Sequence, residues 1–531
     1  MSRRPQTFGL AQATQGNWLD RAISSVSPQW GAKRMHARMS MSVAGSYHGA
    51  DRSRRAMAGW GARVLDADAA TMPGLDALRA ASSSLIQNSP IASGAIATNV
   101  LNVVGTGLAL NSRIHAAVLG MTDDAAKAWQ DTTEREFKLF AESRDIDAGR
   151  KLNFYRLQSL AFRSTLEVGD TLVLTPSIAR PGRPYRLCVQ LVEGHRVCNP
   201  ANQRDRAGLV GGVEIGAYGE AIAYQVAARH PGSRFYGAAN TWARVPATSA
   251  NGRRNAWLMG DPKRIGQTRT PPWLSEVIEP LKQLERYTEA ELMAAVISGM
   301  FTVFIKSEPG TGPDDMLPGA ASADDGGWNG QLGNGTAVGL AEGESIETAN
   351  PGRPNSQFDP FVQSIIHQIG AVLQIPHEVL IKKYQSSYSA SKAAMLDAWR
   401  FFRERRAWLV GEFCQPIFEM WLDEAVASGR ISAPGYFSDP VRRMAYRGAE
   451  WVGDGMGTID PLKDVNAAKG RIDIGISTVA AESLLHDGQS WEDKHRQRVR
   501  EHAARKEAGL IVEKEPAPTA PQPVDEAGNG D

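Results

Sequence analysis

Apolar residues recur at helical spacing over most of the chain, and the places where that rhythm changes mark its organisation. Between about 60 and 165 the spacing predicts helices. Leu75, Leu78 and Leu85 share a face, Asn88-Ser89-Pro90 breaks it, and a second run stops at Gly105-Thr106-Gly107. "AWQDTTEREFKLFAES" and "FYRLQSLAFRSTLEVGD" are amphipathic at the same period. From 170 to 245 the pattern shifts to alternation, with Leu187, Val189 and Leu191 on one face and a hairpin turn near Tyr218-Gly219. The expectation is an α+β chain, mainly helical, with a small sheet region resting on helices.

Helical spacing returns at "WLSEVIEPLKQLERY", with Leu274, Ile278, Leu281 and Leu284 on one stripe and a kink or break expected at Pro280. "TEAE" (Thr288 to Glu291) has the form of a capping box leading into "LMAAVISGMFTVFI". That 14-residue run is apolar almost all round, so neighbouring protein must cover it. It falls short of the roughly 18 to 20 residues that cross a bilayer.

Residues 307–356 then change character, with 11 Gly, 5 Pro, eight acids and one Arg. Such an excursion is too long for a plain connector. Helix resumes at "QFDPFVQSIIHQIGAVLQIP", where Asp359 suits the N-cap, Pro360 the first turn and Pro376 the stop. A polar cationic segment follows: Lys382, Lys383, Tyr384, Gln385, Ser386, Ser387 and Tyr388. Next comes the strongest helix pattern, Ser389 to about Ser428, with a kink expected at Pro416. Its Arg400, Arg403, Arg405 and Arg406 read as a solvated or ion-paired face. The C-terminal part holds a turn-rich segment, short helices, a basic helix from Trp491 and a Pro-rich acidic tail expected to be disordered.

Charge and composition narrow the function classes. Lys+Arg number 59 against 58 Asp+Glu, a net charge of +1, so no global field draws the chain onto nucleic acid or acidic lipid. Three cysteines make no disulfide framework, and the N-terminus lacks an apolar signal core, so a soluble cytoplasmic chain is expected. Residues 1–60, with nine Lys/Arg against two Asp, are expected to be a poorly ordered basic arm.

Chemistry-bearing motifs are missing. There is no Gly-Lys dipeptide and hence no phosphate loop, no H-E-x-x-H and no G-x-S-x-G. Gly105-Thr106-Gly107 has Leu110 where a dinucleotide fingerprint needs glycine, so it reads as a helix-ending turn. Cys188, His195 and Cys198 fit no standard zinc spacing. The paired acids at 123–124, 314–315 and 324–325 read as solvated loop surface. No catalytic residue, no metal site and no cofactor is expected; the residues argue for a structural or binding role.

Many segments together resemble the lambda-type family of tailed-bacteriophage portal proteins. They are "RAMAGWGARVLDADA", "SLIQNSPIASGAI" with "NVVGTG", "FYRLQSLAFRSTLEVGD", "GGVEIGAYGEAIAYQVAARHPG" and "ARVPA", then "RYTEAELMAA", "SYSASKAAMLDAWRFFRERR" and "EWVGDGMGTIDPLKDVNAAKGRIDIGISTVAAE". They run in order from about Tyr47 to Leu510. Thr270 departs from the pattern, where the family tends to glycine.

The resemblance implies a ring of about twelve subunits, closed by rotational symmetry, at one vertex of the virion capsid. It would be assembled in the host cytoplasm, without membrane involvement. Double-stranded DNA would pass through it, weakly and non-specifically held, at packaging and at ejection. Its partners would be the large terminase subunit, a head–tail connector, and the major capsid and scaffold proteins. On the family plan residues 61–287 form a wing, 288–306 and 357–376 the two stem helices, and 307–356 the clip. Residues 377–388 then form the tunnel loop, 389–480 a long helix returning to the wing, 481–508 a crown helix and 509–531 a disordered tail. Lys382, Lys383, Tyr384, Gln385, Ser386 and Ser387 would face the DNA, and Asp314, Asp315, Asp324 and Asp325 would dock partners. The alternatives are another structural head component without a channel, such as a connector or minor capsid protein, and a packaging enzyme.

Overall fold

The computed structural model describes residues 55–510, except 58, 235–239, 300–302, 307–344, 349–356, 385–386, 458–459 and 488–490, and a few residues between 23 and 34. The chain divides into two units, 1–66 and 67–531, and every element below lies in the second. Most of the expected N-terminal arm and the C-terminal tail fall outside the described residues.

After a short helical segment (Ala67–Thr71) and a 3-10 turn (Met72–Gly74) come helices α1 (Leu75–Asn88) and α2 (Pro90–Val103). They lead to β1 (Ala109–Ser112), α3 (Asp123–Glu142) and α4 (Phe154–Val168). The breaks follow the local chemistry: Pro90 sits in the first turn of α2, Thr122 Oγ1 accepts from Ala125 N at the head of α3, and Asn153 caps α4 through Arg156 N.

A strand region follows. A three-stranded antiparallel sheet has the order β3–β2–β8, from Gln190–Glu193, Asp170–Leu174 and Ala256–Gly260. A four-stranded antiparallel sheet runs β4–β5–β6–β7, from Leu209–Val210, Val213–Ile215, Ala221–Ala227 and Trp242–Pro246. Leu187 and Val189 are buried, but so is Cys188 between them, and Leu191 is half-buried, so the alternation holds only in part; the β5–β6 turn passes through exposed Tyr218 and Gly219 at φ +87°. A small apolar cluster that includes Leu172, Val192, Val213 and Tyr224 joins the two sheets.

The chain continues through α5 (Ile278–Gly299), the strand pair β9 (Val303–Lys306) and β10 (Ser345–Thr348), α6 (Phe358–Leu373), α7 (His377–Ile381) and α8 (Tyr388–Leu409). After a π-helical turn (Val410–Cys414) come α9 (Gln415–Ala427), α10 (Pro440–Tyr446), β11 (Ala449–Val452), α11 (Pro461–Asp473), α12 (Val479–Asp487) and α13 (Trp491–Glu507).

Four expectations need correction. The helix placed at 288–306 starts at Ile278, and its supposed last residues, Val303–Lys306, are a strand paired with Ser345–Thr348. Pro280 neither kinks nor breaks it, because a proline in the first turn gives up no hydrogen bond that a helix needs. Thr288 is therefore no cap; its hydroxyl donates back to Leu284 O at 2.8 Å, inside the helix. Residues 377–388 are not all loop, since α7 occupies the first five of them.

At Pro416 the expected irregularity is a π-helical turn. Proline has no N–H to offer the carbonyl four residues back, and the freed Glu412 carbonyl accepts the indole N–H of Trp257 at 2.7 Å. The sheet is thereby tied to the long helix. Around this point lies the aromatic centre of the main core, where Phe137 meets the edges or faces of Phe154, Phe418, Trp421 and Trp451 at 5.0–5.8 Å.

A buried charge group locks α1, β2 and the segment before α5. Asp170 is fully buried and sits between Arg79 and Arg269, both almost fully buried. Arg79 Nη2 donates to Oδ1 at 2.8 Å; Arg269 donates Nε to Oδ2 and Nη2 to Oδ1, each at 2.7 Å. Arg269 also fills its remaining donors on the carbonyls of Val197, Gly194 and Gly211, so all five of its N–H groups are used. Burial pushes the Asp170 carboxyl up, but the charges of Arg269 and Arg79 outweigh it and hold it below the usual carboxylate range. Thr270, the departure from the family pattern, is accommodated: it is buried, its N–H reaches Asp170 Oδ2 at 3.4 Å and its hydroxyl bonds Gly169 O at 2.5 Å.

Candidate nucleic-acid interface

Helices α5 and α6 bracket the acidic excursion and lie side by side at its base. Tyr287 stacks on Phe358 at 5.6 Å and meets the edge of Phe361 at 5.0 Å. The β9–β10 ladder, with Lys306 opposite Ser345, closes the ends of the excursion. Asp314, Asp315, Asp324 and Asp325 lie outside the described residues. Leu292, Met293 and Val296 on α5, and Phe361 and Val372 on α6, are all between 44% and 65% exposed. The described residues of a single chain leave this apolar surface uncovered.

The cationic segment is positioned by two chain reversals. Helix α6 ends where Gln374 turns left-handed (φ +55°), and buried Ile375 donates its N–H to Gly370 O at 3.0 Å. Gly370 is required there, since a Cβ would lie 2.6 Å from Ile375 O. Pro376 then starts α7, whose buried Leu380 anchors it among α2 and α8. Lys382 ends α7 in a second left-handed turn (φ +56°), and Lys383 N closes it on Glu378 O at 3.1 Å.

At the far end Ser387 caps α8, accepting from Ala390 N at 3.4 Å. Lys382 and Ser387 are exposed, Tyr384 is 54% exposed and Lys383 is half-buried. Gln385 and Ser386 lie outside the described residues. The described residues of the segment hold no acid, thiol or histidine, so its chemistry is that of a cationic, hydroxyl-bearing surface. Next to it the imidazoles of His367 and His377 lie 3.8 Å apart; burial, and then the neighbouring ring, push His377 below its ordinary value.

Helix α8 carries this loop back to the body of the chain. Three segments far apart in sequence meet at its end. Arg406 donates to the free carbonyls of Asn102 and Val103 at the end of α2, and to Asp454 O, each at 3.0 Å. Asp454 returns its carboxylate to Thr106 N and Thr106 Oγ1, both at 3.0 Å. Gly105 (φ +57°) permits this, because a Cβ there would lie 2.1 Å from Asp454 Oδ2. Gly105-Thr106-Gly107 is thus a helix-ending turn, as the sequence indicates. The arginine run divides in function: Arg405 pairs with Asp261 at 2.6 Å, Arg406 caps α2, and Arg400 and Arg403 stay exposed.

The sulfur atoms considered as metal ligands do not converge. Buried Cys188 accepts from Arg183 Nη1 at 3.0 Å, and Cys198 accepts from the Trp242 indole at 3.4 Å. His195 instead meets Glu193 and His230, whose ligand atoms all lie within 4.8 Å of one another. Sequence spacing could not show this, because His230 arrives from the other sheet. Burial, with the charges of Arg79 and His230, pushes the His195 imidazole down to about 4, so it is neutral at pH 7.

Residues 53–406 match the family model described as phage portal protein, lambda family. The chain is 28% identical over 474 residues to the portal protein of Escherichia phage N15, covering 85% of this chain and 88% of that one. It is 28% identical over 473 residues to portal protein B of Escherichia phage lambda, with the same coverage. Among solved structures, a chain of the neck of a native GTA particle computed with C12 symmetry matches 71% of this chain and 99% of its own length, at TM-score 0.39 and 11% identity.

Proposed function

This chain belongs to the lambda family of phage portal proteins, and from that we infer that it closes into a ring, of about twelve subunits, around a channel for double-stranded DNA. The observation that carries this reading is the cationic segment held between two capped helix ends, with Lys382 exposed on a left-handed turn. DNA carries one phosphate charge per roughly 1.7 Å of axis, and a strongly basic lining would hold it statically. One or two lysines per subunit, repeated around a ring, give a diffuse collar. Hydroxyls add contacts indifferent to sequence. The near-neutral net charge of +1 suits passage rather than grip.

The exposed apolar residues of α5 and α6 supply the surface that neighbouring subunits would cover, which supports assigning these helices to the stem. The acidic 307–356 segment would form the clip and dock the large terminase subunit and then a head–tail connector by charge complementarity. Helices α12 and α13 would form the crown. The function is structural, with no chemistry assigned to any residue.

Negative-stain electron microscopy with native mass spectrometry tests the ring directly. The expected result is closed rings of about twelve subunits with an axial hole wide enough for a duplex. Closed particles or filaments without a hole would instead favour a head component that lines no channel. In assembled heads, Lys382→Ala with Lys383→Ala is expected to impair packaging or DNA retention; unchanged packaging and retention would remove the tunnel-loop assignment.

A further inference from the structure

We propose that Glu193, His195 and His230 form a binding site for a divalent transition-metal ion of the zinc class. Glu193 ends β3, His195 lies in the 3-10 turn that follows (Gly194–Arg196), and His230 follows β6 of the other sheet. Two imidazoles and one carboxylate are the donor set that zinc, cobalt and nickel prefer, whereas calcium and magnesium take oxygen.

The distances suit the ion. Bonds of about 2.0–2.2 Å to a tetrahedral zinc place its ligand atoms roughly 3.3–3.6 Å apart. His230 Nε2 and Glu193 Oε2 are already 3.3 Å apart, and all three ligand atoms fall within 4.8 Å. The remaining closure is at most about 1.5 Å, within the reach of side-chain rotation at a partly exposed site.

A second observation is independent of that spacing. His195 Nδ1 is buried and takes part in no hydrogen bond. A buried ring nitrogen without a partner is costly, and an ion, directly or through its bound water, would relieve it. The two rings already lie against one another, tilted by 54° with centroids 4.8 Å apart.

Two costs oppose binding. His230 Nδ1 accepts Gly232 N–H at 2.9 Å, so the neutral ring carries its proton on Nε2 and donates it to Glu193. Metal binding moves that proton to Nδ1 and frees the Gly232 N–H, which is exposed and can turn to water. Arg79 also lies close enough to His195 to repel a cation, an effect that Glu193 and Asp76 counter. An ion held here would fasten the corner at which the two sheets meet, on the turn whose Gly194 and Val197 carbonyls Arg269 already holds.

The experiment uses the full chain, stripped with chelator and titrated with zinc chloride by calorimetry, with cobalt chloride absorption reporting coordination geometry. We expect one saturable zinc per chain, tetrahedral cobalt bands, and a rise in the unfolding temperature on adding zinc. His230→Ala should weaken binding on the order of 100-fold and abolish the temperature rise, and Glu193→Gln should weaken it less. His367→Ala, which alters the other imidazole pair, should change nothing. Absence of a saturable site, or a site that survives His230→Ala, would overturn the proposal. His230 and Glu193 are partly exposed, so loss of binding in these variants is not a failure to fold. The proposal stands apart from ring formation, and neither test decides the other.

Discussion

Asp170→Asn should be one of the most damaging single changes available in this fold. The carboxylate is completely buried and accepts from Arg79 and twice from Arg269 at 2.7–2.8 Å. Asparagine has nearly the same shape, so no cavity forms. What it removes is the negative charge that, among the described residues, pairs with both buried guanidiniums, and its amide N–H₂ must face one of them. Removing one partner of a buried pair typically costs about 3–5 kcal/mol, because the remaining charge stays desolvated. Here two charges are left. The lower end of that range is the minimum expected.

Urea unfolding of the purified chain, followed by tryptophan fluorescence, measures the loss. Trp257 lies in β8 and Trp421 in the aromatic centre of the main core, so a strand and the helices both report. The control is a triple replacement, Arg79→Met, Asp170→Leu and Arg269→Met, which removes all three charges of this buried group. It should recover part of the loss, since apolar substitution of a buried charge group is often neutral. It will not recover all of it, because the carbonyls of Gly194, Gly211 and Val197 lose their Arg269 donors. A loss below about 0.5 kcal/mol for Asp170→Asn would refute the reasoning.

The same group predicts an acid limit. The Asp170 carboxyl titrates lower folded than its unfolded value near 3.9, so its stabilisation is fully present above about pH 4 and lost as pH falls through the folded value; the apparent stability in a urea series should drop there, and less so in the triple variant. Trp257→Phe should cost about 1–3 kcal/mol in urea midpoint analysis by leaving the Glu412 carbonyl without its donor beside Pro416. Gly107→Ala should destabilise by at least ~1 kcal/mol, since φ is +119° and the new Cβ would lie 2.6 Å from Tyr155 Cβ. Among the three cysteines, only half-buried Cys198 should react with a thiol reagent in the native chain, because burial pushes the Cys414 thiol up and Cys188 is enclosed; peptide mapping after alkylation reads this out.

Much of the local structure was legible in the chain because it depends on neighbours in sequence. The helix spacing after Leu75, the stop at Gly105-Thr106-Gly107, the hairpin at Tyr218-Gly219 and the disturbance at Pro416 each follow from residues within a few positions. The start of α5 was misplaced for an instructive reason. "TEAE" satisfies the capping pattern, but the helix already started at Ile278, held down by buried Leu281 and Leu284, runs straight through it, and packing overrides a local cap. The strand at Val303–Lys306 could not be separated from a helix by periodicity, since its register exists only opposite Ser345–Thr348.

The sequence by itself determined the helical and strand regions, the family resemblance and the polar, cationic composition of Lys382 to Ser387. Only the tertiary structure decided which distant groups meet. Asp170 finds Arg79 and Arg269 across separations of 91 and 99 residues, Arg406 reaches the end of α2 across 303, and His230 meets Glu193 from another sheet. The reason is physical. Helix and turn preferences are set by steric and hydrogen-bonding terms local to the backbone, whereas a buried charge or an imidazole is stabilised by whatever the fold brings to it.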